Sequence, residues 1–399
     1  MRGDLPTLSE RDRFDATGYL RRYPHVQHAI AAGTVATAWQ HYDTIGRAEG
    51  LKPNDLDPDF YRRTYLQREA AVTPDQCAAH YAAYGRARGY LPHPHAPRSA
   101  TTGGLWTDAP DAPDRISNME ATATLTDRQA AMLRSWRQDG FLRLDREAPR
   151  DRWEPAALDI ERLFAGGLPD LPFCCPALSP QPVRWQPEIA PHPAAALDVH
   201  MVSAPVRALI LGDPLAEFLP LLFEDRALLA TGRGVLRPPV GPPRRASVLF
   251  GCGVPRRFVS VWIALEDATA LTVWPGSHRL PPIRVAGQFP NLPEALRLGL
   301  KTPAEALAAY DAALAAPLRD AGIQPTPLHL KPGGVVLLHP DLVHAATTLP
   351  PLATARSVSA QLCPVPLLPV HAERRPTRLH PHGADWFAAQ FCPDMEPAS

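Results

Sequence analysis

Across the second half of the chain, apolar and polar positions alternate in short runs. Phe258 to Leu265, FVSVWIAL, alternates strictly: Val259, Val261, Ile263 and Leu265 fall on one face, Phe258, Ser260, Trp262 and Ala264 on the other. That period of two predicts a half-buried strand. Glu266-Asp267 closes it, and Leu271 to Arg279, LTVWPGSHR, reads as the next strand and its turn. Further on, Lys331-Pro332-Gly333-Gly334 predicts a tight turn and Val335 to Leu338 a strand buried on both faces. Ser357-Val358-Ser359-Ala360-Gln361 alternates again and gives a second strand one polar face.

Elsewhere the spacing is helical. Residues 14 to 50 and 56 to 89 read as two copies of one unit, with apolar and aromatic positions three and four apart. Phe14-Asp15 with Tyr19 recurs as Leu56-Asp57 with Tyr61, His41-Tyr42 as His80-Tyr81, and Gly46-Arg47-Ala48-Glu49-Gly50 as Gly85-Arg86-Ala87-Arg88-Gly89. Gly50 and Gly89 are read as C-terminal stops, and His41 and His80 as packing within their units rather than binding metal. Residues 91–123 are rich in Pro, His, Thr and Gly and read as a linker. Leu125 to Trp136 predicts an amphipathic helix stopped by Asp139-Gly140, and 195–229 a helical stretch. In 172–193, a proline-rich loop, Arg184, Trp185 and His192 are candidates to line a pocket. Thr302-Pro303-Ala304-Glu305 starts a helix with a threonine N-cap and proline at the first position. That helix, ended by Pro317 and Gly322, lies between strands and is a candidate lid.

Composition narrows the function classes. The chain has 399 residues, enough for two domains, and Lys plus Arg equals Asp plus Glu at 41 each. No global field therefore favours nucleic acid, an anionic membrane or an acidic partner, and a small-molecule or protein ligand is expected. The polar N-terminus and the lack of a long apolar window predict a cytoplasmic protein with no membrane span. Six cysteines without C-x-x-C spacing predict reduced, buried thiols. The 48 prolines predict long irregular connections between short strands.

The candidate chemistry sits in Leu328 to Gln361. His344 follows the Val335 to Leu338 run, and Arg356 lies twelve residues beyond it. A neutral imidazole suits iron, and a guanidinium matches a carboxylate with two parallel bonds. WIALED followed by TVWPGSHR, together with this stretch, resembles the phytanoyl-CoA dioxygenase family of iron(II)- and 2-oxoglutarate-dependent oxygenases. The resemblance implies a mostly β fold with helices, a double-stranded β-helix (jelly-roll, cupin-like) over 124–370, preceded by a small all-α repeat domain over 12–90 and followed by a tail over 371–399. It implies His344 as the distal iron ligand and Arg356 as the partner of the far carboxylate of 2-oxoglutarate. Gly103-Gly104-Leu105-Trp106-Thr107-Asp108 resembles a segment preceding the catalytic domain in some members. The N-terminal repeats resemble units attached to bacterial surface-polysaccharide glycosyltransferases, which implies glycan-biosynthesis proteins as partners.

The sequence departs from that family at the proximal ligand pair, a histidine and a carboxylate two residues apart. Counting back from FVSVWIALED puts the pair in Pro242 to Leu249, PPRRASVL, which holds neither residue type. Arg244 stands at the histidine position and Ala246 at the aspartate position, or, two residues on, Ala246 and Val248. His278 reads as part of the structural turn, and His200 and Cys252 are candidate replacement ligands. No residue is assigned as catalytic. Two functions stay open. One is a degenerate, non-catalytic or impaired member, a pseudoenzyme acting as an anion-binding or scaffolding module in surface-polysaccharide biosynthesis. The other is an active dioxygenase with iron(II), 2-oxoglutarate and replacement ligands. In the first, Arg244 and Arg356 could clamp a dicarboxylate or phosphorylated ligand without metal; equally, Arg244 and Arg245 could simply face solvent.

Overall fold

The computed structural model describes residues 8–66, 72–85, 90, 92–93, 104–167, 171–179, 181–252, 254, 256–350, 353–365, 367, 370–371, 375–382 and 385–391. The chain divides into two compact units, residues 1–103 and 104–399.

The first unit is helical, and its two copies use the same local devices. The Asp57 carboxylate caps helix Pro58–Tyr65 by accepting from the Phe60 amide, and Thr73 with Gln76 forms a capping box on Pro74–His80. In each copy the last helix runs into a π-helical turn, Tyr42–Gly46 or Tyr81–Gly85. A tyrosine hydroxyl lies against each closing glycine, so that a Cβ at Gly46 would collide with Tyr19 and one at Gly85 with Tyr61. Only glycine admits the ring there. Each tyrosine hydroxyl also bonds a histidine Nδ1, Tyr19 to His41 at 3.0 Å and Tyr61 to His80 at 2.8 Å. Both histidines are therefore engaged within their own copy, as their place beside tyrosines suggests. Gly50 follows the first turn at φ +71, in the left-handed region expected of a stop, while Gly89 lies outside the described residues.

The second unit is built on strands. Before the barrel come β1 (Phe141–Arg143), β2 (Pro172–Cys174), β3 (Val183–Arg184) and β4 (Ala194–Leu197). The barrel strands are β5 (Ala227–Arg237), β6 (Arg244–Arg245), β7 (Phe250–Gly251), β8 (Val259–Ala264), β9 (Ala268–Val273), β10 (Thr326–Leu330), β11 (Val335–Leu338), β12 (Val343–Ala346) and β13 (Ser357–Pro364). After them come β14 (Val370–His371), β15 (Arg375–His382) and β16 (Asp385–Phe391). A large sheet runs β1-β11-β8-β13-β5-β4-β2-β3, and a small one runs β10-β9-β12-β6. Leaving aside the short β7, the chain from β5 to β13 passes back and forth between them. β5, β8, β11 and β13 lie in the large sheet, and β6, β9, β10 and β12 in the small one. This winding between two facing sheets is a double-stranded β-helix with helices packed outside it.

Strand parity decides what faces what. Val259, Val261, Ile263, Val335, Leu337, Val358, Ala360 and Leu362 share one cluster with helices Asp127–Asp139, Arg150–Phe164, Ala204–Leu211 and Leu215–Phe223. Ala264, Val336 and Leu338, on the opposite face, pack with Leu271, Val273 and Leu330 of the small sheet. The first set therefore faces the helical layer and the second the barrel interior. The turn at 331–334 forms with Gly333 at φ +82, but it joins β10 to β11 across the two sheets rather than as a hairpin.

Four segments differ from their sequence reading. Residues 104–123 are not linker: Trp106–Asp108 and helix Ala112–Ala121 belong to the second unit. Residues 195–229 are not one helical stretch. Ala194–Leu197 is a fully buried strand between β2 and β5, where tertiary pairing overrides alanine's helix preference, and two helices follow it. Pro317 does not end its helix, which continues to Asp320. Residues 371–399, read as a tail outside the barrel domain, include β15 and β16, which form a hairpin, and β16 pairs in parallel with β5. Trp185 covers the core and donates to the Phe164 carbonyl at 3.2 Å, so it serves packing rather than a pocket.

Candidate functional site

β6 pairs antiparallel with β12, and the register sets Arg244 directly opposite His344 and Arg245 opposite Val343. On its other side His344 lies opposite Val273, an interior residue. Residues facing each other across an antiparallel pair share a sheet face. His344 thus faces the interior, and Arg244 starts from that face. His344 Nδ1 is 3.0 Å from the Leu342 carbonyl. A carbonyl only accepts, so Nδ1 carries the proton and Nε2 keeps its lone pair. Burial pushes the His344 pKa down, against the opposing pull of the Leu342 carbonyl, and favours that neutral ring.

The Arg244 guanidinium is committed. Nε and Nη2 donate to the two carboxylate oxygens of Asp311 at 2.7 and 2.6 Å, a bidentate fork from helix Pro303–Asp320. That helix also buries Tyr310, Leu314 and Leu318 in one cluster with Val343, so it is packed rather than free-standing. Burial raises the Tyr310 pKa to about 12, so the phenol stays protonated. Arg245 is 2 % exposed and donates to the carbonyls of Ser277, Leu280 and Pro281, which makes it the strut of the turn after β9. Neither arginine simply faces solvent.

Arg356 has the parity of Val358 and lies towards the helical layer. Its Nε donates to Glu266 Oε2 at 3.0 Å, its backbone N–H to Glu266 Oε1 at 2.7 Å, and its Nη1 bonds Glu161 on helix Arg150–Phe164. Arg356 and Arg244 therefore share no partner, and the two-arginine clamp, one of the two alternatives left open by the sequence, is not formed. Each cation is matched by carboxylates of the chain itself.

The other candidates are spoken for as well. His200 donates from Nε2 to the Ala388 carbonyl at 2.7 Å and packs beside Gly232, on the helix-facing side of β5. Cys252 Sγ contacts the carbonyls of Val254 and Arg257 at 3.4 and 3.2 Å in its own loop. His278 bonds the Arg137 carbonyl at 3.1 Å and stays in the structural turn, as read. Ala246 begins a 3-10 turn, Ala246–Val248, and has no donor atom in its side chain.

Three-ligand iron binding does not fit this donor set. An arginine stands opposite His344 in the strand register with its guanidinium committed to Asp311, alanine stands two residues on, and both replacement candidates are engaged elsewhere. Among the described residues no group of three His, Cys, Asp or Glu side chains could hold a metal. A 2-oxoglutarate carboxylate would have to displace Glu266 and Glu161 from Arg356.

The sequence reading missed Asp311, Glu161 and Glu266, because an ion-pair partner tens of residues away leaves no local signature. It also passed over a polar band inside the barrel. Ser357 lies between Ala264 and Val235, Ser359 between Trp262 and Arg233, and Gln361 between Ser260 and Thr231. The alternation in FVSVWIAL and SVSAQ carried that signal.

Residues 230–349 match the family described as Phytanoyl-CoA dioxygenase (PhyH), a span that runs from β5 through β12 and includes Arg244 and His344 but not Arg356. No curated protein matches the chain. Among solved structures, the chain is similar to EctD from S. alaskensis with bound Fe, at 20% identity and a TM-score of 0.42 over 67% of this chain and 83% of that one. It is also similar to the epimerase SnoN in complex with Fe3+, alpha ketoglutarate and nogalamycin RO, at 16% identity and a TM-score of 0.43 over 61% and 86%. A third is AviO1 from Streptomyces viridochromogenes Tue57, at 20% identity and a TM-score of 0.39 over 59% and 94%.

Proposed function

We propose that the second unit is a small-molecule-binding barrel of phytanoyl-CoA dioxygenase type that works without a resident iron. The observation that supports this reading is the Arg244–Asp311 fork opposite His344. The fork offers a metal ion nothing to bind: the guanidinium has no lone pair to give, and its carboxylate partner is already saturated. The competing reading, an active iron(II)- and 2-oxoglutarate-dependent dioxygenase, needs two further ligands that the described interior does not supply. No described helix is long and apolar enough to cross a membrane. Following the resemblance of its repeats, we assign the first unit a docking role towards proteins of surface-polysaccharide assembly.

The test is anaerobic titration of the full chain with iron(II), followed by measurement of 2-oxoglutarate-dependent succinate release. Wild-type protein is expected to retain well under one iron per chain and to release no succinate above background; stoichiometric iron with turnover overturns the proposal. The double substitution Arg244→His with Ala246→Asp is expected to raise iron(II) affinity at least tenfold. It places an imidazole opposite His344, with a carboxylate two residues on. A gain seen instead only with Ala246→His and Val248→Asp would move the ligand register by two residues.

A further inference from the structure

We infer that the barrel interior binds a neutral, polyhydroxylated small molecule of monosaccharide size, held by Ser260, Ser357 and Gln361 against the Trp262 ring, with His344 accepting from the small sheet. The inference rests on the reading that this barrel binds a small molecule without iron, and it names the ligand class.

Three observations carry it. First, the interior face of β8 and β13 is polar where a barrel core is ordinarily apolar. Ser260, Ser357, Ser359 and Gln361 share the parity of Ala264, which packs with the small sheet. Second, the Ser260 and Ser357 hydroxyls have no hydrogen-bond partner among the described residues, although the residues are only 5 % and 1 % exposed. Buried hydroxyls left unpaired are costly, and alanine at either position would remove that cost, so their presence calls for a polar partner. Third, the donors and acceptors are complementary to hydroxyl groups. Thr231 donates to Gln361 Oε1, which turns the Gln361 amide N–H groups into the available donors. His344 Nε2 offers a lone pair from the opposite sheet. Serine hydroxyls both donate and accept, and Trp262, half-buried in the same face, supplies a flat apolar surface of the kind the C–H face of a sugar ring covers.

Charge argues for a neutral ligand. The interior positions of β8, β11 and β13 carry no Asp, Glu, His, Lys or Arg, and burial pushes the Cys363 thiol pKa up, which keeps it neutral. Arg244 and Arg356 are neutralised by their own carboxylates. Arg233, opposite Ser359 on β5, borders the band and has interactions of its own. A dicarboxylate or a sugar phosphate would find no free cation in the middle of this face.

The test uses the full chain in chelator, with saturation-transfer NMR and calorimetry against D-glucose, N-acetyl-D-glucosamine and myo-inositol, and 2-oxoglutarate and glucose 6-phosphate as charged probes. At least one neutral probe is expected to bind, and Ser260→Ala with Ser357→Ala is expected to weaken it at least tenfold with an unchanged or raised Tm. Should the double variant fold poorly, Gln361→Met removes the amide at similar volume and is expected to weaken the same probe. Absence of neutral binding, or binding indifferent to all three positions, overturns the inference in favour of serines satisfied by ordered water. Metal-free binding of a charged probe alone overturns the ligand class and leaves the iron-free reading standing. Binding of 2-oxoglutarate only on addition of iron(II), with no neutral probe bound, overturns both.

Discussion

Trp136→Ala is expected to lower the unfolding free energy of the second unit by about 3–5 kcal/mol, the usual cost of emptying a buried tryptophan site. Trp136 is 1 % exposed and belongs to the main core cluster. Its indole N–H donates to Thr107 Oγ1 at 3.2 Å, and its ring lies 5.8 Å from His339. Three pieces of chain meet on that ring: the segment at 104–108, helix Asp127–Asp139 and the end of β11. The segment is further tied by the Asp108–His339 pair at 3.1 Å and by the Trp106 indole, which donates to the Leu221 carbonyl at 2.8 Å. Truncation therefore leaves a cavity, an unpaired Thr107 hydroxyl and a segment that has lost one of its attachments, while Arg137 Nε still donates to the Thr107 carbonyl at 3.2 Å. With domain stabilities on the order of 5–15 kcal/mol, the loss is a large fraction of the total. Urea unfolding of the full chain followed by tryptophan fluorescence reads it directly, since every tryptophan but Trp39 lies in this unit. A loss below about 1 kcal/mol would mean that the segment and the helix repack around alanine.

Much of this architecture is legible in the sequence where a period is strong and local. The alternation over 258–265 puts Val261 and Trp262 on opposite faces, and in the structure Val261 faces the helical layer and Trp262 the interior. The Thr126 capping box and the left-handed Gly140 bound their helix as their residue types require. What escaped the reading was decided at long range. The stretch 194–197 is Ala-Ala-Ala-Leu, helical by propensity, yet it is a strand because β2 and β5 flank it. Residues 104–123 read as linker together with the Pro- and His-rich stretch before them, while the residues that anchor them, Leu105, Thr107 and Ile116, are few and widely spaced. That 242–249 holds neither a histidine nor an acidic residue was visible from residue identities alone. Where Arg244 and Arg356 would send their charge was not, because Asp311 and Glu161 lie 67 and 195 residues away.

Acidification is expected to destabilise the second unit well before its carboxylates titrate. Burial, with the charge of His339, depresses the His278 pKa from 6.5 to about 4, while the Arg137 carbonyl and Asp108 oppose the shift and Arg279 adds to it. His344 is displaced downwards by burial as well. Between pH 6.5 and 4 the unfolded chain binds a proton at His278 that the folded protein does not. Stability is therefore fully present above about pH 6.5 and falls as pH drops through this window. For His278 alone the loss is at most about 3 kcal/mol, from 1.36 kcal/mol per pH unit. Asp108 acts later. Burial raises its pKa, but the charge and hydrogen bond of His339, with Arg256, more than offset this and hold it below the usual 3.8, so its contribution is lost only on further acidification. Urea midpoints measured at pH 7.5, 6.5, 5.5 and 4.5 are expected to fall through the middle of this series. His278→Gln keeps a donor that reaches as far as Nε2 towards the Arg137 carbonyl but cannot titrate, and it should flatten the slope between pH 6.5 and 4.5 while leaving the steeper loss below pH 4 intact. An unchanged slope in that variant would assign the acid sensitivity to His344, whose replacement by asparagine is the matching measurement, and would show that the His278 ring is rehydrated before the fold opens.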